Sequence, residues 1–310
     1  MLTGYISGKA GQFTLPVLTE WEIQRTAGDP CGSFSVTFAA GAGTEAILKD
    51  AAFFQASYDG TVVFSGIVDE YTLSLGADGL VATVVGRDLA GLLRDNECRA
   101  AEFQMAHLED ILSRYVRPLG IGKIRADRLG PVSGFAVETA DTCWQVLSGW
   151  CRHSGEVRPF FLADGTLCLQ KAPETGYFPL SPANGILNAE LRRQRYGVLS
   201  RQTVLDYTHK TVETVTNPAF DGVCDHVVIR EGKTLKATWR TAAQRMADSR
   251  RDQVVATVTV AGAFMAEPLD RVGLNLPELE VTGNFTVSAV ETKLDGQGLR
   301  TVLTLREAGS

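Results

Sequence analysis

The sequence predicts a mainly β chain in which two β domains flank a small α+β module. Three observations carry that reading. At 310 residues the chain is too long for one small core. Its 31 glycines fit many tight turns, and Asp-Gly pairs fall between β-rich runs. Helical periodicity is confined to the middle third and one later stretch. Hydrophobic content of 45% and charged content of 21% describe an ordinary globular chain, not a disordered one. No apolar run approaches the roughly 20 residues that span a bilayer. The start, MLTGYISGKAGQFTL, has no basic region leading into an apolar one, so no export signal is expected.

The first third is strand-rich. GSFSVTFA alternates Phe34, Val36 and Phe38 with Ser33, Ser35 and Thr37, the period of a half-buried strand. Three further runs are separated by Asp59-Gly60 and Asp78-Gly79, both strong hairpin signals. The long run TVVFSGIVDEYTLSL is expected to bend or bulge at Gly66, where a sheet curls into a barrel. VVGRDLAGLLRD then reads as a strand end, an Asp88 cap, and a short helix whose Leu89, Leu92 and Leu93 face a core. AAGAGTEA matches a loose dinucleotide fingerprint (Gly41, Gly43, Ala46), but no apolar strand precedes it and no long helix follows, so a loop is expected.

The middle third changes period. HLEDILSRYVRPLG puts Leu108, Ile111, Leu112 and Tyr115 on one helical face, stopped by Pro118 and Gly120. ETADTCWQVLSGWCRHSG reads as a second helix, capped by Asp141 or Thr139, with Trp144, Leu147 and Cys151 on one face and Gly155 at its end. VRPFFLADGTLCLQKA is a hairpin turned at Asp164-Gly165. Residues 172–188, rich in Pro, Gly and Ser, read as a linker.

Strands return in LSRQTVLDYTHKTVETVT and DHVVIREG. A helix fits TAAQRMADSRRDQ, with Thr241 and Gln244 spaced as a capping box. VVATVTVAG, NFTVSAVETKL and LRTVLTLRE follow, the last two joined through Asp295-Gly296-Gln297-Gly298. No short repeat is visible, although the two β parts are candidates for distant copies of one barrel.

Candidate chemistry is sparse. Cysteines 31, 98, 143, 151, 168 and 224 show no CxxC pair and read as buried, reduced thiols. His107, His153, His209 and His226 lack metal-ligand spacing, and no metal or cofactor is expected. Asp69-Glu70 reads as a solvated strand edge before it reads as a glycosidase pair, and Trp144 and Trp150 as core before a sugar platform. No catalytic residue is assigned. Residues 1–97 carry 5 basic and 12 acidic side chains, residues 98–180 carry 9 of each, and residues 181–310 carry 16 and 15. An acidic first third is a poor grip on nucleic acid, which needs clustered Lys and Arg.

The order of these features resembles the tail hub family of phages and related contractile injection systems, of the late-control protein D and prophage tail hub types. Phe64, Gly66, Val68, Gly86, Arg87, Asp88, Leu92 and Leu93 carry the resemblance in the first third. DILSRYVRPLGI, the segment from ETADTCWQ to GTLCLQ, and TAAQRMADSRRDQ before VVATVTVAG extend it along the chain. It implies two tail-tube-like barrels, 1–97 and 179–310, the latter with a helix at about 241–252, flanking a helix-helix-hairpin module at 98–178. It further implies a non-enzymatic homotrimer, a pseudo-hexameric ring joining the tail tube to the central spike. Partners would be the chain itself, the spike protein, the tube or its distal initiator, and other baseplate proteins. DNA would pass only as cargo, and no stable membrane binding is implied. The location would be the particle's tail baseplate after assembly in a bacterial cytoplasm. On this reading Gly-Arg-Asp is a corner, the leucines anchor the short helix on the barrel, the acidic domain lines the channel and the module lies outside. The rivals are a tail-tip glycan hydrolase and a carbohydrate-binding module, but the hub layout already uses every segment.

Overall fold

The computed structural model describes residues 1–27, 31–77, 79–171, 176–194, 196–206, 210–218, 220, 224–231 and 242–307. The first part holds seven strands: β1 (Leu2–Gly8), β2 (Gly11–Thr14), β3 (Leu18–Thr26), β4 (Ser33–Ala39), β5 (Ala51–Tyr58), β6 (Thr61–Gly76) and β7 (Gly79–Asp88). A short helix α1 (Thr44–Asp50) joins β4 to β5, and α2 (Ala90–Asp95) follows β7. Alternation dictates the packing: Phe34, Val36 and Phe38 of β4 meet Trp21, Ile23, Phe54, Phe64, Ala82 and Val84 in one buried cluster. One sheet thus curls around its own core.

The middle part contains β8 (Ala101–Ala106), α3 (Leu108–Ile111), β9 (Ile124–Ala126), β10 (Val132–Val137), α4 (Cys143–Gly155), β11 (Phe160–Phe161) and β12 (Leu167–Leu169). A second cluster gathers Ile111, Tyr115, Phe135, Trp144, Leu147, Trp150 and Leu167, and Trp150 Nε1 donates to the Ala106 carbonyl at 3.0 Å. After Ile111 the helix widens into a π turn over Leu112–Val116, then tightens over Arg117–Leu119 and stops at Gly120, whose φ is 84°. The hairpin β11–β12 turns at Gly165 (φ 80°) as expected, and β12 also takes β9 as a parallel neighbour.

The last part holds β13 (Tyr177–Leu180), β14 (Ile186–Arg193), β15 (Arg201–Asp206), β16 (Thr211–Thr216), β17 (Val227–Glu231), α5 (Ala242–Arg250), β18 (Val254–Ala261), β19 (Arg271–Leu276), β20 (Val281–Asp295) and β21 (Gly298–Glu307). β16-β15-β17 is a separate small sheet. The main sheet runs β14-β18-β21-β20-β3-β4-β7-β6-β5-β1-β2, with β19 also on β20 and β13 on β19. It is an open path: among the described strands no pairing closes either half into the expected barrel.

That path contains one five-strand pattern twice. β3-β4-β7-β6-β5 and β14-β18-β21-β20-β19 have the same order, counted along the chain as first, second, fifth, fourth, third. The irregularities repeat as well. The β6–β7 ladder shifts between Val68 and Glu70, and β20–β21 between Val287 and Ala289. The β3–β4 ladder shifts between Leu18 and Glu20, and β14–β18 between Ile186 and Asn188. Because bulges bend a strand at a set point, shared bulges mean the two units share their curvature. The possibility of distant copies is therefore visible in topology and register.

Several local expectations change. β6 bulges at Val63 against β5 and at Asp69 against β7, not at Gly66, which stays in register opposite Phe54 and Asp88. Gly66 serves close approach instead, since a Cβ there would lie 2.1 Å from the Arg87 carbonyl oxygen. The loop expected for AAGAGTEA ends at Gly43, and Thr44 already begins helix α1, because Gly43 turns in at φ 85° and Leu48 is buried against the core. The cap of α4 is Thr142, not Asp141 or Thr139: its hydroxyl accepts from Gln145 N at 3.2 Å while Gln145 Oε1 accepts from Thr142 N at 2.7 Å. α4 does end at Gly155 as expected, and Glu156 takes the left-handed position after it. The supposed linker at 172–188 holds β13 and the start of β14, since Leu180 is buried and β13 pairs in parallel with β19. Asp78, residues 172–175, His209 and Thr241 lie outside the described residues, so the turn, linker and capping readings that rest on them do as well.

Candidate assembly site

The Gly-Arg-Asp stretch is a rigid corner where the first β unit meets the middle module. Asp88 is buried; its Oδ2 accepts from Gly32 N at 2.7 Å and its Oδ1 from Ala90 N at 2.9 Å. The N-cap position of α2 is Leu89, not Asp88 as expected; Asp88, one residue earlier, satisfies the helix's first N–H while tying the start of β4 to the end of β7. Burial outweighs these two donors and pushes the Asp88 carboxyl up to about 6. Arg87 reaches both ways, giving Asp69 two hydrogen bonds (2.7 and 2.8 Å) and Asp95 two more (2.9 and 2.7 Å). Those bonds hold the guanidinium proton more firmly and keep Asp95 below its usual range. The bulge that pushes Asp69 out of register supplies half of this clamp. The helix leucines act differently from expectation: Leu93 is buried in the module's cluster, with Leu89 and Leu92 packed against it. Gly91 is the residue facing the sheet, where a Cβ would lie 2.9 Å from Ile67 Cδ1.

The two β units meet at a second junction. The outer half of β20 pairs antiparallel with β3, from Ala289 opposite Thr26 to Leu294 opposite Trp21. Lys293 bonds Glu22 across it at 2.9 Å, and buried Arg25 donates to the Ala266 carbonyl at 2.8 Å while pairing with Glu267. Leu294 and Leu299 of the second unit pack against the first unit's core. A third contact joins module and second unit around a pocket of about 280 Å³ lined by Arg152, Arg158, Asp248, Arg251, Asp252 and Arg306. Arg158 pairs with Asp248 at 2.9 Å and Arg306 with Asp252 at 2.8 Å. Burial, and repulsion from Arg158 and Arg306, push the Arg251 guanidinium down to about 10.

Within the two repeated five-strand units, two flanks carry no neighbour among the described strands: the outer half of β6 beyond the bulge, and the side of β14 away from β18. Both are largely exposed, and Leu75 on β6 (82% exposed) and Leu187 on β14 (63%) are large apolar side chains in solvent. Unpaired strand flanks of this kind are templates for another strand.

The sequence-singled residues distribute around these features. Glu70 lies exposed on the bare β6 flank, but Asp69 is held by Arg87 and is not a free edge carboxylate. Trp144 and Trp150 are core, at 5% and 0% exposure. His107 begins α3, its backbone N–H donating to Asp110 at 2.8 Å, and His153 ends α4. Cys98, Cys143, Cys151 and Cys168 are buried, whereas Cys31 is half-buried and Cys224 exposed, because both fall in connecting segments. Cys98 and Cys143, distant in sequence, place their thiols 3.3 Å apart. Sequence reasoning missed the bare flanks, the Arg87 clamp and the arginine pocket; only the GRD triplet gave any signal.

No protein-family model matches the sequence, and no curated protein is significantly similar to it. Solved structures are similar in fold. The 43 kDa tail protein of prophage MuSo2 from Shewanella oneidensis has a TM-score of 0.80 at 18% identity, over 98% of each chain. The tail protein of Neisseria meningitidis MC58 gives 0.74 at 20% identity, over 99% of this chain and 97% of that one. An Escherichia coli component of the type VI secretion system, itself structurally similar to the T4 tail proteins gp27 and gp5, gives 0.56 at 8% identity over 94% and 74%. The chain has the fold of phage tail proteins, from its first strand to its last.

Proposed function

We propose that the chain is a structural baseplate hub of a phage tail or phage-derived injection particle. Three copies would form a pseudo-hexameric ring between tail tube and central spike. The observation that carries this reading is the likeness to a prophage tail protein over 98% of both chains. The duplicated five-strand unit supports it in physical terms. A chain with two similar units contributes two similar sectors, so three chains supply six, and a ring closes with heterologous contacts that leave no sheet edge bare. The units would be 1–97 and 179–310, with 98–178 as a module outside the ring contacting baseplate or spike partners. The acidic first unit would line the channel and repel passing DNA. The role is structural and non-enzymatic, and assembly would take place in the bacterial cytoplasm.

The test is negative-stain electron microscopy with light scattering on the purified chain, alone and with candidate spike and tube proteins. Three-fold rings with a central hole, at three times the chain mass, are the expected result. A persistent monomer that clears bacterial cell walls would replace the hub with a hydrolase.

A further inference from the structure

The internal repeat specifies how one chain meets the next. The β6–β7 hairpin ends in Gly76 opposite Gly79, and β20–β21 ends in Asp295 opposite Gly298. Counting back from these ends aligns Leu75 with Leu294 and the bulge residue Asp69 with Ser288. In the same way the shared bulge opposite Phe38 and Val260 aligns Trp21 of β3 with Ala189 of β14. Inside the chain, the outer half of β20 takes β3 as its neighbour. Among the described strands the equivalent half of β6 is bare, and so is the outer side of β14, the equivalent of β3.

We propose that the outer half of β6 in one chain pairs antiparallel with β14 of a second copy, from Glu70 opposite Gln194 to Leu75 opposite Ala189. The register is the β20–β3 register transferred strand for strand. Three observations on the two flanks support the fit. Leu294 packs on the neighbouring unit's core, whereas its equivalent Leu75 is 82% exposed and lacks such a partner surface. Leu73 and Leu191, each packed against its own unit's core, would fall opposite one another, as Thr292 and Ile23 do within the chain. The charges are complementary: β14 ends in Arg192 and Arg193, and Glu70 begins the bare half of β6. Because the donor flank belongs to the first unit and the acceptor flank to the second, the contact is heterologous and leaves one free flank of each kind until a ring closes. The inference rests on the ring reading and adds its register.

The test uses two chains that each gain one surface cysteine, Thr72→Cys and Arg192→Cys, each with Cys224→Ser to remove the exposed native thiol and Cys31→Ser to remove the half-buried one. Both positions are exposed in the single chain, so folding is preserved, and circular dichroism checks it. Mild oxidation of the mixture should give a covalent dimer that neither chain forms alone. Ser74→Cys with Glu190→Cys should behave alike, and Ser74→Cys with Arg192→Cys, two positions out of register, should not. Rings or trimers by light scattering without the mixed dimer would overturn the pairing and leave the hub standing. Equal cross-linking of single chains, or of the out-of-register pair, would overturn the register. A mixture that stays monomeric and uncross-linked at high concentration overturns the pairing as a property of the chain itself, and the microscopy with spike and tube proteins then judges the ring separately.

Discussion

Both β units place an arginine at the same ladder position, Arg87 in β7 and Arg306 in β21, and surround it differently. In the first unit it is flanked by Gly86 and buried Asp88; in the second by buried Leu305 and exposed Glu307. The difference follows from what comes next in the chain. After β7 the backbone must turn into α2 and the module, so Gly86 and Gly66 let neighbouring strands crowd together and Asp88 closes the turn. In the second unit Leu305 and Phe285 fill the equivalent places with core side chains. One scaffold thus serves as a corner in one copy and as plain sheet in the other. Glycine marks the corner because two backbones meet there, not because the strand needs to be flexible.

The sharpest way to break this comparison is to exchange the residues. Gly86→Leu would set a Cβ 1.9 Å from the Ile67 carbonyl oxygen, with backbone on the receiving side that has no room to yield. We expect no soluble folded protein, scored by expression yield and circular dichroism. The reciprocal Leu305→Gly leaves a fully buried void in the second core and should cost about 3–5 kcal/mol in urea denaturation. A well-folded Gly86→Leu chain would show that the two units differ by history alone.

The acids that follow the two arginines come next in size. Asp88→Ala orphans two buried N–H groups and should cost about 2–4 kcal/mol, whereas Glu307→Ala, exposed, should stay within about 0.5 kcal/mol. The pH dependence has a definite sign. The Asp88 carboxyl is raised in the fold, so its protonated form is favoured there. Its contribution is complete below the ordinary value of 3.8 and is lost as pH rises through about 6. Asp88→Asn should therefore gain on the wild type by about 2 kcal/mol between pH 4 and pH 7. Denaturation midpoints at the two pH values that move in parallel would remove the buried carboxylate from the account.

The sequence showed what depends on local chemistry and hid what depends on pairing. The Asp59-Gly60 turn, the alternation in β4 and the apolar faces of α3 and α4 were legible because neighbours along the chain produce them. The bulge was misplaced on Gly66 because glycine is the usual local marker; what displaces Asp69 is its partner strand and the Arg87 clamp. β13 was hidden because Pro179 and nearby small residues imitate a linker, and only the parallel neighbour β19 makes it a strand. The repeat stayed invisible for a related reason. Phe34, Val36 and Phe38 correspond to Ala256, Val258 and Val260, which share burial and register but little volume. Topology was conserved while side chains were exchanged, so only the strand order and the paired bulges disclose it. The bare flanks of β6 and β14 have no sequence signature, since a strand does not record which of its sides lacks a neighbour.

The arginines themselves should differ least, and the direction of their difference tests the comparison most finely. Arg87 stands between two carboxylates, Asp69 and Asp95, with its side chain 31% exposed, so Arg87→Gln removes the cation and leaves two like charges facing each other. Arg306 has one carboxylate, Asp252, and shares its pocket with Arg158 and Arg251, so Arg306→Gln relieves repulsion as it breaks a pair. Partly exposed pairs contribute about 0–1 kcal/mol each. The loss at Arg87 should therefore approach about 1–2 kcal/mol with two partners, and the loss at Arg306 should fall near zero. Raising salt should shrink the first difference, because screening weakens attraction between exposed charges. It should leave Arg306→Gln almost unmoved, since attraction and repulsion there are screened together. Urea midpoints for both variants at low and high salt decide the matter: equal losses at both positions would mean that the arginine serves the ladder alone, and that the corner owes its rigidity to Asp88 and the glycines.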